Sequence, residues 1–142
     1  MANLQPLIRL RKYRTEEKQK ALAELFRQAD LLEGRKRILL GDMERERKIA
    51  EESDQLDGFV AYLSYAARLK KEIEKIDVQI ARMTARIEKA QDDIREAFSE
   101  QKKIEIIQRR RDEEEAQKED KKESATLDEV GIETFRRREE GE

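Results

Sequence analysis

The chain has 142 residues, of which 46% are charged, 37% hydrophobic and 5% aromatic, with a formal net charge of −2. An average soluble domain is about 25% charged and about 45–50% apolar, so this chain cannot wrap a thick globular core. It has no Cys and no His, which excludes disulfides and thiol catalysis and removes the commonest general base and the commonest zinc ligand.

No run approaches the about 18 apolar residues of a membrane span. The opening residues, with Arg9, Arg11 and Lys12, lack the apolar stretch of a secretory signal. The expectation is a soluble, cytoplasmic, non-enzymatic helical chain without cofactor or metal. The small net charge hides a gradient: residues 1–50 sum to +5, residues 51–100 to −4 and residues 101–142 to −3. A dedicated nucleic-acid binder is usually basic overall, so no nucleic-acid partner is expected.

The first element is a helix over about residues 4–52. A spacing of three then four residues picks out Leu4, Ile8, Arg11, Thr15, Lys18, Leu22, Leu25, Ala29, Leu32, Lys36, Leu39, Met43, Glu46 and Ala50. The seam is mostly apolar, with its faults concentrated at Arg11, Thr15 and Lys18. A turn is predicted at about 53–58, where Ser53-Asp54-Gln55-Leu56-Asp57-Gly58 carries the densest turn chemistry of the chain, with Asp57 serving as a cap for the second helix.

That second helix, about 59–123, has the cleaner seam: Phe59, Tyr62, Ala66, Leu69, Ile73, Ile76, Ile80, Met83, Ile87, Ala90, Ile94 and Ala97 are all apolar, and Gln101 is the first miss before Ile104. Heptads sustained this long argue for a coiled coil. The seams are two residues out of phase across the turn, which matches neither the stutter nor the stammer of a continuous coil. The predicted fold is therefore all-α, a long two-helix antiparallel coiled-coil hairpin over 1–123 that is monomeric when free. At 1.5 Å per residue the arms would measure about 74 Å and about 96 Å, so the second overhangs the first. Past Ile104 the seam positions are Gln108, Arg111, Glu115, Lys118 and Lys122. That stretch is expected to be a solvated single helix supported by pairs such as Glu105/Arg109 and Glu114/Lys118.

Residues 124–142 form a C-terminal tail with a short helical motif. Thr126-Leu127-Asp128-Glu129 has the form of a capping box, and Leu127, Val130 and Phe135 make a short apolar face broken by Gly131. Two readings stand: a frayed tail, or a docking element whose apolar tip nothing in its own chain covers.

Chemistry-bearing clusters are few. Asp112-Glu113-Glu114-Glu115 points around the helix rather than converging on a metal, and the scattered glycines form no phosphate loop. Arg9-Leu10-Arg11-Lys12-Tyr13-Arg14 ahead of leucine heptads has the outline of a basic-region zipper, but such a zipper would leave the second seam unexplained. An acidic protein surface suits this basic end better. Phe59, Tyr62, Leu63 and Tyr65 gather beside the turn. Phe59 and Tyr62 fall on the seam and Tyr65 off it, so Tyr65 is expected to face outward, available to a partner.

Read together, Leu4-Gln5-Pro6-Leu7-Ile8-Arg9-Leu10-Arg11-Lys12-Tyr13, Glu17-Lys18-Gln19-Lys20-Ala21-Leu22-Ala23-Glu24-Leu25, Phe59-Val60-Ala61-Tyr62, Ala97-Phe98 with Lys102-Lys103-Ile104-Glu105, and Leu127-Asp128-Glu129-Val130-Gly131-Ile132 resemble FliJ-type flagellar export proteins, the last motif those of alphaproteobacteria. The similarity covers nearly the whole chain.

The resemblance implies a non-enzymatic part of the flagellar type III export apparatus, needed for motility. It would be cytoplasmic, peripheral at the flagellar base on the inner face of the cell membrane, and not inserted in that membrane. Such proteins are stalk-like: they bind within the hexameric export ATPase and promote its assembly or activity. They also contact the export gate membrane protein and recycle substrate chaperones. On this reading Arg9, Arg11, Lys12, Arg14, Arg109, Arg110 and Arg111 contact the ATPase, Tyr62 and Tyr65 face the gate, and Leu127, Val130 and Phe135 dock the tail. Residues 43–50 read as polar or small, which counts against a gate surface spanning both helices. The alternatives are the stalk protein of a virulence-type secretion system, or a generic coiled-coil scaffold or dimerisation protein with no ATPase partner.

Overall fold

The computed structural model describes residues 3–53 and 55–141; Met1, Ala2, Glu142 and Asp54 of the expected turn lie outside the described residues. Two helices account for almost all of them, α1 (Gln5–Glu52) and α2 (Leu56–Glu140), packed as a two-helix hairpin. The residues fall into two compact units, Tyr13–Ala97 and the two chain ends, Met1–Lys12 with Phe98–Glu142.

In the Tyr13–Ala97 unit the seams set the packing. On α1 every predicted seam position is buried or half-buried except Lys18 and Glu46. Thr15, one of the apparent faults, is 4% exposed, and Lys36 lies half-buried with its Nζ 2.7 Å from Asp77 Oδ1 on α2. On α2 the seam from Tyr62 to Ala97 is buried or half-buried throughout, with Ala66, Ile76 and Met83 deepest. Phe59 departs from it: at 44% exposure it is not core, and its ring leans on Tyr62 at a centroid distance of 6.4 Å. The seam begins instead at half-buried Gly58. Lys36 facing Asp77, and Ala50 sharing a groove with Ala61 and Tyr62, make the helices antiparallel.

The turn is shorter than the sequence suggested. α1 closes with Ser53 N donating to Ile49 O at 3.1 Å, and α2 starts at Leu56, three residues ahead of expectation. Asp57 therefore lies inside the first turn of α2 rather than before it. There its carboxylate favours the positive end of the helix dipole.

In the second unit, Leu4 opens α1: its carbonyl accepts Ile8 N at 2.9 Å, and Asn3 Oδ1 accepts Gln5 N at 3.0 Å. Pro6 sits in the first turn, where its missing N–H removes no helix bond. Gln108 Oε1 on α2 accepts Leu4 N at 3.0 Å, so the pairing of the helices outlasts the apolar seam. Gln101 is not a miss in the packing; it is 7% exposed and its amide donates to Glu105 Oε1 at 3.0 Å. Gln108 and Arg111 are still half-buried, and from Asp112 to Gly141 every residue is exposed.

α2 continues without interruption through 124–126, so the capping box at Thr126 does not form. Instead the Thr126 hydroxyl donates to Lys122 O at 2.9 Å, as Thr134 does to Val130 O at 2.8 Å. A threonine that bonds the carbonyl four residues back stays within the helix instead of starting one. Neither Glu105/Arg109 nor Glu114/Lys118 comes within ion-pair distance among the described residues; Glu105 pairs with Lys102 at 3.1 Å.

Candidate functional site

The expected ATPase-facing cations divide between the units. Arg9, Arg11, Lys12, Arg109, Arg110 and Arg111 belong to the unit of chain ends, and Arg14 to the other. Arg9, Lys12, Arg109 and Arg110 are exposed, whereas Arg11 and Arg111 are half-buried on the seam and offer less charge to a partner. The Leu4–Gln108 bond fixes the register in this unit. Counting from it in the antiparallel sense, Arg109–Arg111 lie past the start of α1, and Arg9–Lys12 lie nearer Lys102 and Lys103.

Those two lysines are the cations that seam reasoning missed. The signal was their place in the Lys102-Lys103-Ile104-Glu105 motif, read for likeness rather than charge. Lys102 Nζ sits 5.2 Å from the Phe98 ring centroid and binds Glu105, and Lys103 binds Glu100 at 3.3 Å. The Glu105 carboxyl is held below the ordinary carboxylate range, first by the Gln101 amide, then by Lys102, with a smaller contribution from the charge of Lys12. Level with Arg9–Lys12, the α2 side thus adds two lysines, each bonded to an acid of its own helix, Glu105 and Glu100. At the α2 end, Arg109–Arg111 run directly into Asp112-Glu113-Glu114-Glu115.

The aromatic region by the turn is built differently from expectation. Tyr62 and Tyr65 are both half-buried, so Tyr65 does not simply face outward. Both line a groove with Glu46, Ile49, Ala50 and Ala61, which places side chains of α1 and α2 on one surface. Ile49, 59% exposed, supplies the apolar α1 contribution that a polar-or-small reading of 43–50 omits. Arg68 stands over the Tyr65 ring with its guanidinium carbon 6.0 Å from the centroid. Arg47, bonded to Glu44 and Glu51, has its pKa raised mainly by Glu44, and the Tyr62 phenol adds slightly to that effect.

On the distal part of α2, Leu127, Val130 and Phe135 are exposed, but they do not share one face. Leu127 and Phe135 flank Gly131 together with Ile132, while Val130 lies off that groove. The helical period explains this, since Leu127, Gly131 and Phe135 succeed one another at four-residue steps.

No helix among the described residues is long and apolar enough to cross a membrane, and no cluster of acidic side chains among them suits a metal ion. No curated protein and no solved structure matches the chain. The family model described as "Flagellar FliJ protein" matches residues 1–140. A match over nearly the full sequence, on a chain folded as a two-helix hairpin, shows that the protein belongs to the FliJ family, a non-catalytic component of the flagellar protein export apparatus.

Proposed function

We propose that the protein is a stalk-like partner of the flagellar export ATPase ring, promoting its assembly or activity and linking it to the export gate and to substrate chaperones. One observation carries the reading: in the unit of chain ends, α2 runs on as a single exposed helix from Asp112, beside a paired end that displays Arg9, Lys12, Arg109 and Arg110. A lone helix with no apolar seam over residues 112–126 suits insertion into a polar channel, and exposed cations suit docking on an acidic rim. Arg11 and Arg111 belong to the same contact in secondary roles, and Arg14, in the other unit, is an ATPase contact taken by itself. The groove of Tyr62 and Tyr65 is the gate-facing surface. Leu127, Val130 and Phe135 serve the tail's docking. The free protein is a monomer at the flagellar base, on the inner face of the cell membrane.

The test titrates the purified chain into the export ATPase from the same source, following hydrolysis and assembly size together, with an unrelated coiled coil as control. Faster hydrolysis with a shift to hexamers at substoichiometric chain is expected. R9E/K12E/R109E/R110E, all at exposed positions, should weaken ATPase binding by about tenfold or more while leaving the melt unchanged. Equal binding by that variant removes the patch from the contact, and no change in hydrolysis or assembly overturns the stalk reading.

A further inference from the structure

A second charged surface lies in the Tyr13–Ala97 unit, in a groove between residues 28–35 of α1 and 79–86 of α2. Its floor is apolar: Leu32 and Met83 are on the seam, and Leu31 beside them is 57% exposed. Its rim carries Arg35 from α1 and Arg82 and Arg86 from α2, all exposed.

Four other arginines of this unit are paired on their own helix, whereas Arg14 and Arg37, outside the groove, make no ion pair among the described residues either. Arg27, Arg45, Arg47 and Arg95 each hold a carboxylate one turn away on their own helix, Glu24, Asp42, Glu44 and Asp92 respectively. Arg35, Arg82 and Arg86 make no ion pair or hydrogen bond among the described residues. The cause is in the sequence. The positions three and four residues to either side of Arg35 are Leu31, Leu32, Ile38 and Leu39. The corresponding neighbours of Arg82 and Arg86 are Val78, Gln79, Ala85, Met83, Lys89 and Ala90, besides each other. Acids outnumber bases in this chain, yet none lies three or four residues from these arginines on their own helix.

We propose that this groove docks an acidic amphipathic helix of a partner protein, laid along the hairpin as a third helix. Its apolar face covers Leu31, Leu32 and Met83, and its flanking carboxylates take the guanidinium groups of Arg35, Arg82 and Arg86. A groove between two packed helices accepts a further helix in the same ridge-and-groove manner that packs the first two. Guanidinium binds carboxylate through two parallel hydrogen bonds, which gives such a contact orientation as well as attraction. A purely anionic ligand would leave the apolar floor uncovered, and a purely apolar one would leave three cations desolvated without partners. The proposal uses residues separate from the ATPase-facing patch and does not rest on that assignment.

The test uses the full chain and a synthetic helix of about three heptads, Leu at the a and d positions and Glu at e and g. Because the chain has no native Cys, Gln79→Cys carries a single fluorescent label in the groove, and Ala81→Cys carries a control label on the opposite side of α2. In about 0.15 M salt the peptide should bind with a response at position 79 and none at 81. R35E/R82E/R86E should weaken binding by about tenfold or more while helical content and urea midpoint stay unchanged, and R35Q/R82Q/R86Q should weaken it less. Equal binding by the charge-reversed variant, equal binding of a peptide with Ser for Leu or Lys for Glu, or a response at both labels overturns the proposal. So does self-association of the chain that is lost in the same variant, which assigns the groove to a second copy.

Discussion

Ile76 is the most enclosed apolar side chain of the hairpin, with 3% of its surface exposed, whereas Ile38 on the outer face of α1 is 64% exposed. The same truncation, Ile to Ala, therefore tests whether the α2 seam is the core. At about 0.8 kcal/mol per buried methylene, removing the side chain beyond Cβ at Ile76 loses about 2.4 kcal/mol of transfer free energy. Truncations of this kind in cores cost about 2–5 kcal/mol in all. Only one facing helix lines the site, so the space left behind can partly collapse, and about 2.5 kcal/mol is the expected loss. At Ile38, 64% exposed, the transfer loss is about 0.9 kcal/mol, and alanine's better helix propensity offsets about half of it. With a urea dependence of about 2 kcal/mol per molar, Ile76→Ala lowers the midpoint of the circular dichroism transition by about 1.2 M, and Ile38→Ala hardly moves it. Half-buried Ile80 and Ile87 fall between the two. Equal shifts for Ile76→Ala and Ile38→Ala, or a shift under about 0.3 M for Ile76→Ala, would refute the seam as the source of stability.

Gln108→Ala removes the acceptor of Leu4 N, and should speed amide exchange in the first turn of α1 while costing only about 0.5–1.5 kcal/mol; unchanged exchange there would show that the bond does not hold this end. The carboxyls of Glu24, Glu44 and Glu105 are held below the ordinary range by Arg27, by Arg47, and by Gln101 with Lys102. Their folded values lie below the unfolded ones, so their contribution is complete above the ordinary Glu value of about 4.3 and is lost as pH falls through the depressed values. The urea midpoint should drop between pH 7 and pH 3, and E24Q/E44Q/E105Q should flatten that drop; an unaltered pH profile in the variant would remove these pairs from the account. Lys36, raised chiefly by its bond to Asp77, titrates in the opposite sense: its contribution is present below the ordinary Lys value and is lost as pH rises through the raised one.

The hairpin was legible because periodicity reports directly on burial in a two-helix fold. A helix with one neighbour buries one stripe, and the three–four spacing marks that stripe without knowledge of anything distant in the chain. Of the polar seam positions, Arg11, Thr15 and Lys36 lie in it, while Lys18 and Glu46 stay exposed. Ionic pairing was less legible. Glu105 has candidate partners on both sides, and the choice of Lys102 over Arg109 depends on rotamers that spacing does not specify. Tail structure was misjudged for a related reason. A hydroxyl followed three residues later by Glu fits a helix start, yet the same hydroxyl can bond the carbonyl four residues back, and the continuous helix through Thr126 uses that bond.

The amino-acid sequence by itself determined the all-α class, the two helices, the break between their phases within about residues 53–58 and the family to which the chain belongs. All of these come from local patterns: heptads, turn residues, and the order of motifs along the chain. Tertiary structure decided how far the pairing extends and what shares a surface. Gln101, bonded to Glu105 on its own helix, keeps the α2 seam continuous as far as Ile104, and Gln108 carries it past that last apolar residue by accepting from the backbone of Leu4. Ile49 joins Tyr62 and Tyr65, and Arg35 joins Arg82 and Arg86, only because an antiparallel register sets these residues of α1 beside those of α2. Residues so far apart in the chain meet through the register of two helices, which no single stripe encodes.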